Sequence, residues 1–169
     1  TPPPPIRQDA GEEADAFDGV LWRGGIHRLI EGRCGRQWIL QRTAANAAGG
    51  ATVLVPAGIY NVASTVMMKS NVRLVGAGKY ATLIRQVTSG FGVIEATGVT
   101  NIETADLGVE GTNGSAGTHG IRSSDLAFAR FHNLRIFKTD HYGIGLQCAA
   151  GKAIRDVEIS SCDIEDTGG

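Results

Sequence analysis

The sequence predicts an all-β fold: a single-stranded parallel β-helix of about four coils with a short N-terminal helical cap. Three observations lead there. An apolar spacing recurs every 27 to 28 residues, at Ile102, Thr104, Leu107 and Val109, at Ala129, Phe131, Leu134 and Ile136, and at Val157, Ile159, Cys162 and Ile164. A partial copy, Val72, Leu74 and Ala77, stands 30 residues before the first. Glycine is abundant, at 24 of 169 residues, and eighteen of these lie from Gly49 onward, many at matching points of the period. Within each period no stretch has helical spacing, only short β-branched runs bounded by turn residues. A period of this length made of strands is the signature of a coil that stacks on its neighbours and buries its inward side chains in ladders.

Taken in order, residues 1–25 open on Pro2 to Pro5 and continue through Asp9, Glu12, Glu13, Asp15 and Asp18, which predicts an extended, poorly ordered acidic arm. Residues 26–50 place Ile26, Leu29, Ile30, Cys34, Trp38, Ala45 and Ala48 on one helical face before Gly49-Gly50, which predicts the cap. Gly32 and Gly35 interrupt that face, so two short pieces are also consistent with it. Residues 51–169 carry the coils. Strands are expected at Thr52–Val55, Pro56–Tyr60 and Asn71–Val75, and a second strand of each period at Gly92–Ala96, His119–Ser123 and Tyr142–Leu146. The two-residue gap between Thr104 and Leu107 breaks strict alternation, as expected where a strand turns a corner. Asn71, Asn101 and Asn133 fall just where such corners need a left-handed residue. A β-sandwich would require hairpin turns between strands, and Asn113-Gly114 alone offers one. The coils stop at Asp166-Thr-Gly-Gly169, where each earlier period continues, so the helix reads as truncated at that end or as continued by another subunit.

Composition narrows the function. Sixteen basic against 17 acidic residues, a net charge of −1, gives no electrostatic case for nucleic acid, and no apolar run is long enough to cross a membrane. Three cysteines without a Cys-x-x-Cys pair signal neither a disulfide framework nor a zinc knuckle. Cys162 occupies an inward ladder position and reads as core. Gly76-x-Gly78 is too short for a nucleotide loop.

The run Ala48-Gly-Gly-Ala-Thr-Val-Leu-Val-Pro-Ala-Gly-Ile-Tyr60, with Asn71-Val-Arg-Leu-Val-Gly-Ala-Gly78 and Thr82-Leu-Ile84, resembles the start of the pectate lyase superfamily of right-handed parallel β-helices. That superfamily includes polysaccharide lyases, alginate C5-epimerases, glycoside hydrolases and phage tailspike depolymerases. The resemblance covers residues 45–169 and implies the fold, a polymer groove on one outer sheet, an acidic polysaccharide as partner, and an extracellular, secreted or virion-associated setting. Its usual Gly-Asp-Gly-x-x-Asp-Asp-Thr segment before the N-terminal helix is replaced here by Gly19-Val-Leu-Trp-Arg-Gly-Gly25.

Aligning Ile94, Ile121 and Ile144 as an inward ladder places Glu95, Arg122 and Gly145 in one outward column and Thr97, Ser124 and Gln147 in a second. Glu95 and Arg122 would then be neighbours able to form a surface ion pair. Proton removal α to a carboxylate needs a base near the sugar and a cation or donor at the carboxylate. Lys138-Thr-Asp-His-Tyr142 is the densest cluster of such groups. His141 and Tyr142 are the candidate acid and base, with Arg122 the third catalytic candidate. Glu95, Ser124, Lys138 and Gln147 are the candidate substrate contacts, and Asp140 orients His141 or binds Ca²⁺. The segment is similar to an epimerase strand of the form Tyr-Gly-Phe-Asp-Pro-His. Tyr142 and Gly143 match it, while Gly145 and Gln147 stand where the functional Asp and His would be. His119 and His132 have no partner nameable from sequence, and Asp163, Glu165 and Asp166 form a further carboxylate group near the C-terminus. A reading of a different class stays open: a non-catalytic β-helix that binds glycan or stacks end to end in a fibre, tail or surface assembly.

Overall fold

The computed structural model describes residues 20–23, 26–29, 50–112 and 117–168, the first two segments by their strand pairing. From residue 51 the chain winds as a parallel β-helix with three faces. The first turn is β3 (Ala51–Leu54), β4 (Gly58–Val62) and β5 (Val66–Met67), and the second is β6 (Val72–Val75), β7 (Thr82–Gln86) and β8 (Ile94–Glu95). In the third and fourth turns the first two sides fuse into long bent strands, β9 (Val99–Glu110) and β11 (Leu126–Thr139), followed by β10 (Ile121–Ser123) and β12 (Ile144–Leu146). β13 (Ile154–Ser160) and β14 (Asp163–Thr167) add two sides of a fifth turn. The first face is β3, β6, β13 and the leading halves of β9 and β11; the second is β4, β7, β14 and the trailing halves; the third is β5, β8, β10 and β12.

The register is the one the apolar spacing predicts. Ala129 lies between Ile102 and Val157, Phe131 between Thr104 and Ile159, and Ile136 between Val109 and Ile164. These side chains are inward because alternate residues of a strand point to opposite faces, and Ile102, Leu107, Val109, Ala129, Phe131, Leu134 and Ile136 are all buried. Ala77 departs from the expected ladder. Residues 76–81 form an insertion, and Thr82 instead sits beside Leu107, next to the paired Leu83 and Gly108. Thr82 is tolerated there because its hydroxyl donates to Val55 O at 3.1 Å and accepts from Ala77 N at 2.8 Å. The insertion leaves the coil through Gly76, where a Cβ would come 2.2 Å from the Asp106 carbonyl oxygen.

Corners are made by single residues in the left-handed region. Asn71, Asn101 and Asn133 have φ of 63°, 56° and 50°, as their type predicts. Asn101 Nδ2 donates to Asn71 Oδ1 at 2.9 Å, so the corner side chains bond from coil to coil. Asn101→Ala removes both that bond and the tolerance for φ above zero, and is expected to cost about 1–2 kcal/mol in equilibrium urea denaturation.

Ahead of the coils, β1 (Val20–Arg23) pairs antiparallel with β2 (Ile26–Leu29), and β2 pairs in parallel with β3. Ile26–Leu29 is therefore a strand where the sequence predicts the first turn of a helix. The open hydrogen-bonding edge of β3 explains the preference, since an extended segment there satisfies backbone groups that a helix would leave unpaired. The rest of the expected cap, residues 30–49 with Cys34, and residues 1–19 of the expected arm lie outside the described residues. Among the described residues no helix is long and apolar enough to cross a membrane.

Candidate functional site

The third face presents the outward column that the alignment of isoleucines predicts: Ile121 pairs with Ile94 and Ile144, and Arg122 pairs with Glu95 and Gly145. Ser124 Oγ lies 3.4 Å from Thr97 Oγ1, which donates to Glu95 Oε1 at 3.0 Å. Glu95, Thr97 and Ser124 thus make a hydroxyl–carboxylate row, with exposed Gln147 one coil further on. The Glu95–Arg122 ion pair does not form among the described residues. Glu95 is engaged with Thr97, and Arg122 remains exposed, with no carboxylate partner among the described residues.

His141 and Tyr142 lie at the turn leading into β12, and the coil below brings His119 against them. Ring centroids are 5.4 Å apart for His119 and His141, 5.6 Å for His119 and Tyr142, and 5.3 Å for His141 and Tyr142. The backbone sets this arrangement: His141 N donates to Thr118 O at 3.0 Å, and Gly120 N donates to Tyr142 O at 3.0 Å. Gly145 makes the room, because a Cβ there would sit 3.1 Å from His119 Nδ1. Tyr142 is 52% exposed whereas His119 is 8% exposed, and Nδ1 of His119 is buried without a hydrogen-bond partner among the described residues. Burial, then the neighbouring charges of His141 and Arg122, hold the His119 pKa below its ordinary 6.5. The ring is neutral at pH 7.

That neutrality has a stability consequence. The unfolded chain takes up a proton on His119 near pH 6.5 and the folded chain only at lower pH, so stability is complete above about 6.5 and falls as the pH drops below it. His119→Gln is expected to flatten the decline in urea midpoint between pH 7.5 and 5.

The remaining sequence candidates lie elsewhere. Lys138 is at a corner with φ 54°, and its Nζ is 2.9 Å from Glu110 Oε1, where Arg85 also binds. Burial raises the pKa of Glu110, but the hydrogen bonds from Arg85 and Lys138 outweigh it and leave the carboxyl ionised. Lys138 therefore serves a buried carboxylate at the edge of the second face. Asp140 is half-buried, and among the described residues no group of three or more His, Cys, Asp or Glu gathers around it. Asp163 is held by Lys79 at 2.7 Å and by the Tyr80 hydroxyl at 2.8 Å. Cys162 packs against the core, as its ladder position predicts.

A groove of about 890 Å³ lies on another face, across the first face, next to the corner of Asn71, Asn101 and Phe128. The chemistry-bearing cluster and this groove are thus on different sides of the coil.

Stacked parallel turns, single-residue left-handed corners and a polar column on the third face define a pectate lyase-like β-helix. The sequence model of the rhamnogalacturonase A/epimerase, pectate lyase-like family matches residues 25–168, and the chain belongs to that family. Among solved structures it is similar to ORF18 of Geobacillus virus E2 (24% identity, TM-score 0.51) and to the A-module of the mannuronan C-5 epimerase AlgE4 of Azotobacter vinelandii (20% identity, TM-score 0.51). Each comparison covers 73% of this chain, which corresponds to 31% of the virus protein and 43% of the epimerase module. No curated protein matches it.

Proposed function

We propose that the chain is a carbohydrate-active β-helix of the polysaccharide lyase or uronan epimerase type, which acts on an acidic polysaccharide laid along the third face, outside the cell or on a virion. The observation that carries this reading is the His119–His141–Tyr142 cluster beside Arg122, which meets no carboxylate among the described residues. Arg122 receives the sugar carboxylate and stabilises the carbanion that forms when the α proton leaves. His141 takes that proton. Tyr142 donates one, either to the leaving oxygen as the C4–O bond breaks or to the opposite face of the same carbon. His119, neutral and largely buried, is a positioning residue behind these two rings. Glu95, Ser124 and Gln147 bind hydroxyls along the column. Family membership supports the substrate class, and the neighbouring epimerase module supports the reaction class on a shared fold.

The experiment is incubation with mannuronan, guluronan and polygalacturonate in D₂O. Deuterium entering at the carbon α to the carboxylate reports epimerisation, in which that carbon is reprotonated from solvent, and ultraviolet absorbance from an unsaturated end reports elimination, which leaves that carbon without a hydrogen. Absence of both signals across the three polymers counts against the proposal.

A second reading, a non-catalytic module that binds glycan or stacks end to end, has its own observation. On the last described turn Ile159 and Ile164 are 45% and 48% exposed, although their partners Phe131 and Ile136 in the turn below are fully buried. A further coil, of this chain or a second copy, would cover them. Light scattering over a concentration series tests the second copy, and a monomer throughout sinks it.

A further inference from the structure

The groove on the first face is bordered by a column of left-handed corners, Gly50, Asn71, Asn101, Phe128 and Asp156, with φ of 87°, 63°, 56°, 53° and 54°. Four of these are residue types that adopt this backbone readily or are enriched in it. Phe128 is not: a bulky side chain with φ above zero is a conformational outlier. It is also 56% exposed, so the ring gains little burial in return. Strain held at an exposed aromatic next to a concavity points to use rather than to packing.

The groove's other border is an outward column whose charges cancel. Arg73 makes two hydrogen bonds of 2.9 Å to Glu103, which His132 also approaches at 3.2 Å, and Arg130 lies 3.6 Å from Glu158. Asp156 adds a carboxylate. Every arginine there already faces a glutamate, so the groove offers no free cation to an anionic sugar, unlike Arg122 on the third face. What it does offer is an exposed aromatic face, a carboxylate and two amides. The bond between Asn101 Nδ2 and Asn71 Oδ1 leaves the other end of each amide available to a hydroxyl. Its size, about 890 Å³, falls within the roughly 300–1,000 Å³ of small-ligand sites.

We propose that this groove is a second carbohydrate-binding surface, in which Phe128 stacks on the apolar face of a neutral pyranose while Asn71, Asn101 and Asp156 bond its hydroxyls. It is independent of the acid–base cluster and selects an uncharged sugar unit rather than an acidic one.

The test is titration of ¹⁵N-labelled protein with cellohexaose, mannohexaose, galactohexaose and hexagalacturonate, followed through the side-chain amide signals of Asn71 and Asn101. At least one neutral hexaose is expected to shift these signals more than hexagalacturonate does. Phe128→Asn is expected to weaken that binding about tenfold or more, from loss of the aromatic platform. The same change is expected to raise the thermal midpoint, since Asn suits the left-handed corner, so a folding defect does not confuse the result. Phe128→Tyr is expected to retain binding. No shift with any neutral hexaose, stronger shifts with hexagalacturonate, or unchanged affinity in Phe128→Asn would overturn the proposal. Proton exchange on uronans is read on the other face, so its presence or absence leaves this result unaffected.

Discussion

Tyr142→Phe and His141→Gln are each expected to lower the rate of α-proton removal from the responsive uronan, read as deuterium uptake or as ultraviolet absorbance, by about 10²–10⁴-fold, the usual contribution of a positioned acid or base. Both substitutions keep the ring or chain volume at exposed positions, so stability should change little. Arg122→Lys is informative beside them. Lysine keeps the charge but loses the planar fork that holds a carboxylate in two bonds, so activity should fall while residual binding persists. His119→Gln separates positioning from direct proton transfer. A positioning role predicts a reduced rate with an unchanged pH profile, because the groups that exchange protons with substrate remain. If His119 itself is the base, the acidic limb of the profile disappears with it. Equal activity in Tyr142→Phe, His141→Gln and wild-type protein would remove the cluster as the site.

The coil was legible in the sequence because stacking forces inward residues of successive turns to repeat at matching positions. Ile102, Ala129 and Val157 announce the register before any coordinates do, and Asn71, Asn101 and Asn133 announce corners through their tolerance of left-handed backbone. Phe128, Lys138 and Ser161 adopt the same backbone without any such signal, since their conformation is imposed by the coils above and below. Ala77 misled for a related reason: an insertion moves the inward position to Thr82 while leaving a plausible apolar residue at the regular spacing. The site was half legible. His141, Tyr142 and Arg122 stand out by residue type, but His119 lies far away in sequence. The signal for it was present in the alignment of Ile121 with Ile144, because the same step carries His119 to Tyr142. Its meaning depends on the turns before β10 and β12 folding toward each other, which spacing does not state.

Phe131→Ala is expected to destabilise the protein by about 3–5 kcal/mol, the range for removing a fully buried aromatic ring. Phe131 is 0% exposed and stands in the ladder between Thr104 and Ile159. Thr104 is also fully buried, with no hydrogen-bond partner for its hydroxyl among the described residues, so it fills less of the coil than a leucine would and is too short to close the cavity. Against a typical total of about 5–15 kcal/mol, the loss is large enough to shift the urea midpoint far or abolish the transition. Ile159→Ala removes the next side chain in the same ladder but a half-exposed one, 45% exposed, so its cost should be less than half that of Phe131→Ala. The difference follows from one-dimensional stacking, in which each coil is stabilised by its neighbours and an outer coil has fewer of them. Hydrogen exchange offers the matching readout. In Phe131→Ala the amides of β13 and β14, which among the described strands pair only with β11, should lose protection before those of β6 and β7. Uniform loss across all coils would instead mean that the stack unfolds as a single unit.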